Sequence, residues 1–356
     1  MIDLNTFEKN SSFYDQIDLA LTVKSFNLKE IRERYLNSKL TNKKAGSVKR
    51  RKVAEGGIIN MSINDGKVLS EEVLIKVKEP RGIAMSSSGI FAFSSENKVY
   101  LIDDKIRSIE DNWFSYIHTV DFNKKNDKLL VSSSGYDLLI EYDLKTLKKT
   151  YDWIAWENGF NKGRDPETGH QITLSRDIKG IHNEKVLVIT DPKNQTLPTA
   201  MRAAFINSAC YDSLDENYLL ATFFYEGKLY RIDKNTGKSV TVVENLKTPH
   251  GGKRNDHNFI ITSTGSGEVI IDLTTFSFKN LPGKPEVLKD EEWLQNSIRT
   301  GENYITIDSN RNAFVIFNPE KKLIDTIPYN ENWAIQDMIN CSLPGDTITL
   351  IKSINN

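Results

Sequence analysis

The sequence predicts an all-β chain: a six-bladed β-propeller with an N-terminal helical segment, seven blades being the alternative. Three observations predict it. From residue 57 onward, short apolar runs alternate with turn clusters. One run recurs with an acid at its end, as "KVYLID", "LLIEYD", "KLYRID" and "EVIID". Its acids Asp103, Asp143, Asp233 and Asp272 stand 40, 90 and 39 residues apart. A period of about 40–45 residues holding four strands is propeller spacing, because each small sheet buries its faces only by stacking on its neighbours. Finally, the last repeat is short while "GIINMSI" (57–63) and "VLIKV" (73–77) are left over at the front. Closing the ring with N-terminal strands removes the open edge.

In chain order, residues 14–38 carry apolar side chains at roughly helical spacing (Leu19, Leu21, Val23, Phe26, Leu28, Ile31, Tyr35) and are expected to be helical. With the basic stretch "LTNKKAGSVKRRKVAEGG" they form an extension over 1–56, and the propeller spans 57–356. The run Lys49–Lys52 reads as a solvated linker, a targeting or polyanion patch being the alternative. Six innermost strands follow: "RGIAMS" (81–86), "YIHTVDF" (116–122), "AAFINSACY" (203–211), "TPHGGKR" (248–254), "LQNSIRT" (294–300) and "WAIQDMINCSL" (333–343). After the last, only "TITLIK" (347–352) remains. Residues 151–202 break the repeat. They are expected to form a long excursion over one face, with "KVLVITD" as a degraded seventh blade in the alternative reading.

Composition narrows the function. The 356 residues carry 47 basic and 48 acidic side chains, a net charge of −1, which argues against nucleic acid as partner. No apolar run approaches the ~18 residues of a membrane span, and no basic-then-apolar leader opens the chain. Cys210 and Cys341 are isolated, as in a reducing compartment, so the expected localisation is cytoplasmic. Nucleotide-binding glycine motifs, H-E-x-x-H and G-x-S-x-G are absent, which removes the sequence signal for a nucleotide cofactor.

Propeller sites sit at a channel mouth, so residues of the innermost strands are the candidates. They present Arg81, His118 with Asp121, Asn207 with Ser208, His250, Asn296 with Arg299, and Gln336 with Asp337. His118 and His250 fall at matching places and suit acid/base or metal-ligand roles, with Asp121 beside them. Asn207, Asn296 and Asp337 could hold a divalent ion in the channel. Arg81, Arg202 and Arg299 could clamp an anion. "WIAWENGF" would either bring Trp156 and Glu157 over the face as a lid or only anchor the excursion by packing, and the excursion adds His170 and His182. His257, in "NDHN", reads as a surface turn. A hydrogen-bonded structural histidine and an inter-blade arginine salt bridge are the competing readings.

The segments "HTVDFN", "LLVSSSGYDLLIEYDL", "WIAWENGF", "FINSACYD" and "TPHGGKRNDHNFIITSTGSGEVIIDL" together resemble a set of bacterial six-bladed propeller proteins. These are akin to NHL-repeat, strictosidine-synthase-like and arylsulfotransferase-like propellers, and the resemblance covers roughly residues 80–350. Such relatives often carry a histidine before "NSA", where this chain has Ala204 and Phe205. The arylsulfotransferase-like resemblance implies a channel-facing catalytic histidine, matched here by His118 or His250. The NHL-type resemblance implies a binding platform. The expectation is therefore an enzyme acting on a small polar or anionic molecule at the channel mouth, as hydrolase, lyase or isomerase, or transferase. The alternative is a non-catalytic platform for a protein or ligand. A monomer or homodimer is expected.

Overall fold

The computed structural model describes residues 1–41, 52–177, 185–255 and 257–354. Its strands form six antiparallel sheets of four strands each, two of which gain a short parallel strand from the N-terminus. Sheet 1 runs Ile83–Met85, Phe91–Ser94, Lys98–Ile102 and Ile106–Glu110. Sheet 2 runs Ile117–Phe122, Lys128–Ser133, Leu138–Asp143 and Lys149–Ile154. Sheet 3 runs Ile206–Tyr211, Tyr218–Phe223, Lys228–Asp233 and Ser239–Val243. Sheet 4 begins at Gly251–Asn255 and gains Ile2–Asp3; sheet 5 begins at Leu294–Thr300 and gains Glu8–Lys9.

Sheet 6 is built from both ends of the chain. Its order is Ile335–Asn340, Ile17–Val23, Glu55–Asn64 and Lys67–Lys78. The first strands of the six sheets adjoin one another in cyclic order, and that of sheet 6 adjoins that of sheet 1.

The hydrophobic core lies between sheets. Each neighbouring pair shares its own cluster, such as Leu130, Leu139 and Trp153 of sheet 2 with Ile206, Leu219 and Phe223 of sheet 3. Another joins Ile298, Ile305 and Phe314 of sheet 5 to Leu19, Leu21 and Ile59 of sheet 6. Because both faces of a strand are covered, Ala313–Asn318 is buried at every position and shows no polar alternation. The recurring acids have a local task. Oδ1 of Asp143 accepts from the N–H and hydroxyl of Thr146, and Oδ1 of Asp233 accepts from the N–H groups of Asn235 and Thr236. Each closes an Asx turn that ends the third strand and starts the fourth.

Three sequence expectations need correction. The helix expected over 14–38 is a strand, Ile17–Val23, followed by helix α1, Leu28–Thr41. "IDLALTV" packs between two strands and is buried on both faces, so its apolar run satisfies either periodicity. Consequently the boundary at residue 56 cuts a strand of sheet 6, and residues 1–23 pair into three sheets. The tail "TITLIK" lies in a helix, α2 (Gly345–Ser353), with Thr347 and Ile351 buried. The excursion also has a sheet of its own. Lys162–Arg164 pairs antiparallel with Gln171–Ser175, which pairs parallel with Val186–Val188. Ile172, Leu174 and Leu197 from it join the core of sheets 1 and 2. His182 and most of the basic run, residues 49–51, lie outside the described residues. No helix among the described residues is long and apolar enough to cross a membrane.

Candidate functional site

A recurring backbone device sets up the site. Glu79, Tyr116, Phe205 and Thr248 all have left-handed φ angles, between 47° and 53°. Two residues after each stands a channel residue: Arg81, His118, Asn207 and His250 respectively. Non-glycine residues in this region carry strain of order 1–3 kcal/mol, and the device repeats at the entry to four of the six sheets. It turns the chain at the same point each time and delivers equivalent side chains inward. Gly251 and Gly252 follow His250 where space is short. A Cβ on Gly251 would lie 2.5 Å from Asn296 Oδ1, and one on Gly252 would lie 2.6 Å from the Thr222 methyl.

His118, His250 and their neighbours divide two cavities, and both histidines line each of them. The first cavity, about 150 Å³, is cationic and aromatic. Arg81 stands at its floor. Its Nη2 donates to Glu79 Oε1 at 2.9 Å, and its Nη1 reaches Gln336 Oε1 at 3.1 Å and His118 Nε2 at 3.3 Å. Lys24 Nζ donates to the same Gln336 oxygen at 2.8 Å. Arg202, with no exposed surface, lies over the rings of Tyr116 (4.3 Å) and Phe205 (4.7 Å). Ile31, Arg34 and Tyr35 of α1 join the lining with Trp293, the Tyr35 and Trp293 rings standing 4.8 Å apart, and so does one acid, Glu292, which is paired with Lys284 at 2.5 Å. Thus α1 covers this cavity.

The histidines differ. His118 Nδ1 faces the Tyr116 carbonyl at 3.1 Å and so carries the hydrogen, leaving Nε2 to accept from Arg81. Burial, then the cations Arg81 and Arg202, hold its pKa well below the usual value. His118 is therefore a neutral acceptor that positions Arg81. His250 is half-buried, with Nδ1 2.9 Å from Thr264 Oγ1 and its ring against the edge of Phe224. Burial, Lys24 and Arg81 push its pKa down to about 3, so it is neutral at physiological pH. Burial also brings Arg81 down to about 10.

The second cavity, about 180 Å³, collects Asp121, Asn207, Lys253, Asn296 and Asp337. Asp121 Oδ2 accepts from the Tyr211 N–H at 2.8 Å. Asp337 Oδ1 accepts from Asn296 Nδ2 and from the Met338 N–H. Burial raises Asp121 to about 7 and Asp337 to about 6. The three residues named for a metal thus share one cavity, although the described residues hold no cluster of three or more His, Cys, Asp or Glu spaced for a metal.

The remaining candidates lie elsewhere. Trp156 is core, its Nε1 donating to Asp137 Oδ2 at 3.3 Å. Glu157 is exposed and paired with Arg176 at 2.6 Å. His170 is exposed, as is Arg299, which donates to the Gly301 carbonyl at 2.8 Å. His257 is an exposed turn residue. The sequence reading missed Lys24, Arg34, Tyr35, Trp293 and Lys253. Lys253 alone had a signal, standing three residues after His250 on a strand already chosen as innermost.

No protein-family model matches this chain, and no curated protein matches it. Its likeness is to solved structures. The crystal structure of a nidogen/laminin complex superposes on 91% of this chain and 97% of that one, with a TM-score of 0.53 and 9% identity. A virginiamycin B lyase from Staphylococcus aureus is similar over 70% of this chain and 84% of that one, at a TM-score of 0.41 and 14% identity. A streptogramin B lyase is similar over 71% and 84%, at 0.43 and 14%. The first likeness, spanning nearly both chains, speaks for the fold, and this chain has a β-propeller architecture. Neither lyase likeness bears on its chemistry.

Proposed function

We propose that the six sheets are six blades of a closed propeller and that the first cavity binds a small anionic molecule with a planar, apolar part. On this reading the chain is an enzyme, and His250 is the residue that exchanges a proton with the bound molecule. The observation that carries the reading is the set of cations around one floor. Arg81 and Arg202 are buried, Lys24 and Arg34 stand beside them, and among the described residues only the Glu79 carboxylate forms a close ion pair with Arg81, while Glu292, the acid in the lining, is paired with Lys284. Buried guanidinium groups favour an anion strongly because little water screens them. The aromatic lining of Tyr35, Tyr116, Phe205, Phe224 and Trp293 suits a flat apolar body.

His118 is held in place by both ring nitrogens, whereas His250 reaches the cavity and is fixed through Thr264. An anion bound near His250 would raise its pKa toward neutrality, which is where a proton-transfer group is effective. A platform with an apolar plug is disfavoured by the polar waist of Arg81, His118, His250 and Gln336.

The test is calorimetric titration of the full chain with phenyl phosphate, benzoate and benzyl alcohol. The anions are expected to bind at least about tenfold more tightly than the alcohol, by about 1.4 kcal/mol, and the difference should vanish in Arg81→Met. Equal binding of the neutral alcohol would refute the reading.

A further inference from the structure

We propose that the second cavity is a separate binding site, for a small polyhydroxylated molecule, opening on the other side of the histidine waist. The proposal is independent of what the first cavity binds. Three charged residues stand on alternate innermost strands: Asp121 in sheet 2, Lys253 in sheet 4 and Asp337 in sheet 6. Asn207 of sheet 3 and Asn296 of sheet 5 fill the positions between, and Ala84 and Met85 of sheet 1 give one apolar side.

The charges interact across the cavity without touching. Lys253 lowers the pKa of both carboxyls through space. Yet among the described residues its ammonium makes no ion pair within 4.0 Å and no hydrogen bond to any side chain or carbonyl. Lys253 thus offers three unmatched donors. Asn207 offers an unmatched acceptor. It is only 2% exposed, its Nδ2 donates to the Pro249 carbonyl at 3.2 Å, and its Oδ1 has no partner. A buried amide oxygen left unpaired costs roughly 1–3 kcal/mol, so a donor belongs there.

The mixture of charges selects the ligand class. A bare cation would be drawn by the carboxyls but set against Lys253. An anion would suit Lys253 but face two acids. A hydroxyl both donates and accepts, carries no charge, and can serve Asn207 Oδ1, a carboxyl and Lys253 from neighbouring carbons. The space of about 180 Å³ exceeds what one bridging water fills, and the Ala84–Met85 side can take the carbon face.

Glycerol, meso-erythritol and myo-inositol are the probes, titrated into the full chain by calorimetry with ligand-observed NMR. At least one should bind saturably at one site. Lys253→Met and Asp121→Asn should each weaken that binding at least tenfold while leaving phenyl phosphate binding at the first cavity unchanged. Lys253→Met keeps the aliphatic stem of a partly exposed residue and removes no contact that holds the fold, so it serves even if Asp121→Asn does not fold. No saturable binding of any probe, unchanged affinity in Lys253→Met, or displacement of the probe by magnesium or inorganic phosphate would overturn the proposal.

Discussion

The Glu79–Arg81 pair gives a prediction with two signs. Side-chain exposure is 7% for Glu79 and 5% for Arg81, and the contact is 2.9 Å. Glu79→Gln keeps shape and backbone preference and removes the only carboxylate among the described residues in close contact with that guanidinium. The remaining close partners of Arg81, His118 and Gln336, are neutral. Breaking a buried pair from one side costs about 3–5 kcal/mol, because a charge is left uncompensated. For a chain of this size each kcal/mol moves Tm by about 2 °C, so a fall on the order of 6–10 °C is expected. The cavity meanwhile gains one positive charge, so phenyl phosphate should bind more tightly than in the unaltered chain. Saturating anion should then recover much of the lost Tm, by mass action on the folded state. Scanning calorimetry with and without phenyl phosphate reads both effects. A variant that loses stability but binds the anion no better would refute the assignment of Arg81 to an anion site. A variant that keeps its Tm would refute the burial argument.

Two further outcomes follow from the same structure. Asp121 is held at about 7 and Asp337 at about 6, above the unfolded carboxylate value, so the folded chain binds more protons between roughly pH 4 and 7. Stability from these groups is full below the unfolded value and is lost as pH rises through the folded one. Asp121→Asn should therefore gain stability relative to the unaltered chain from about pH 4 to about pH 7, and urea titrations showing no such trend would count against the burial of Asp121. Asp137→Ala should be among the most damaging single changes. The Asp137 carboxylate accepts from the N–H groups of Ala203, Ala204 and Ile206 and from Trp156 Nε1. Two buried backbone donors, Ala204 and Ile206, would be orphaned at roughly 1–3 kcal/mol each, with the half-buried Ala203 N–H beside them, so a loss under 2 kcal/mol in chemical denaturation would contradict the geometry.

The sheets were legible because two repeating signals agreed. In sheets 1 to 3 an acid stands at the end of the third strand, Asp103, Asp143 and Asp233, and each accepts backbone N–H groups of the turn that follows. The innermost strands could therefore be placed by counting back from Asp103, Asp143 and Asp233. The Ile17–Val23 strand was hidden for a physical reason. A strand covered on both faces loses its period of two, and "IDLALTV" followed by a real helix reads as one apolar stripe. The metal-type trio Asn207, Asn296 and Asp337 was reached by the same counting. Lys24 and α1 were not, because their place over the channel depends on sheet 6 being built from both chain ends.

Position and role separate at the two histidines. The backbone turn at Tyr116 and at Thr248 puts His118 and His250 at equivalent places, which alignment of the repeats captured. Their chemistry depends on what the adjacent sheets supply. Sheet 1 gives His118 a guanidinium, and a guanidinium facing Nε2 forces the neutral acceptor form. Sheet 4 gives His250 the Thr264 hydroxyl, which donates or accepts as required, and no guanidinium bonds to its ring among the described residues. If that difference decides function, the two substitutions will not behave alike. His118→Leu should loosen anion binding, because Arg81 loses the acceptor that orients it. His250→Gln should leave the affinity nearly intact and abolish any proton-transfer step. Identical loss of affinity in both would mean that the histidines act as one structural layer, and His250 would then have no separate chemical role.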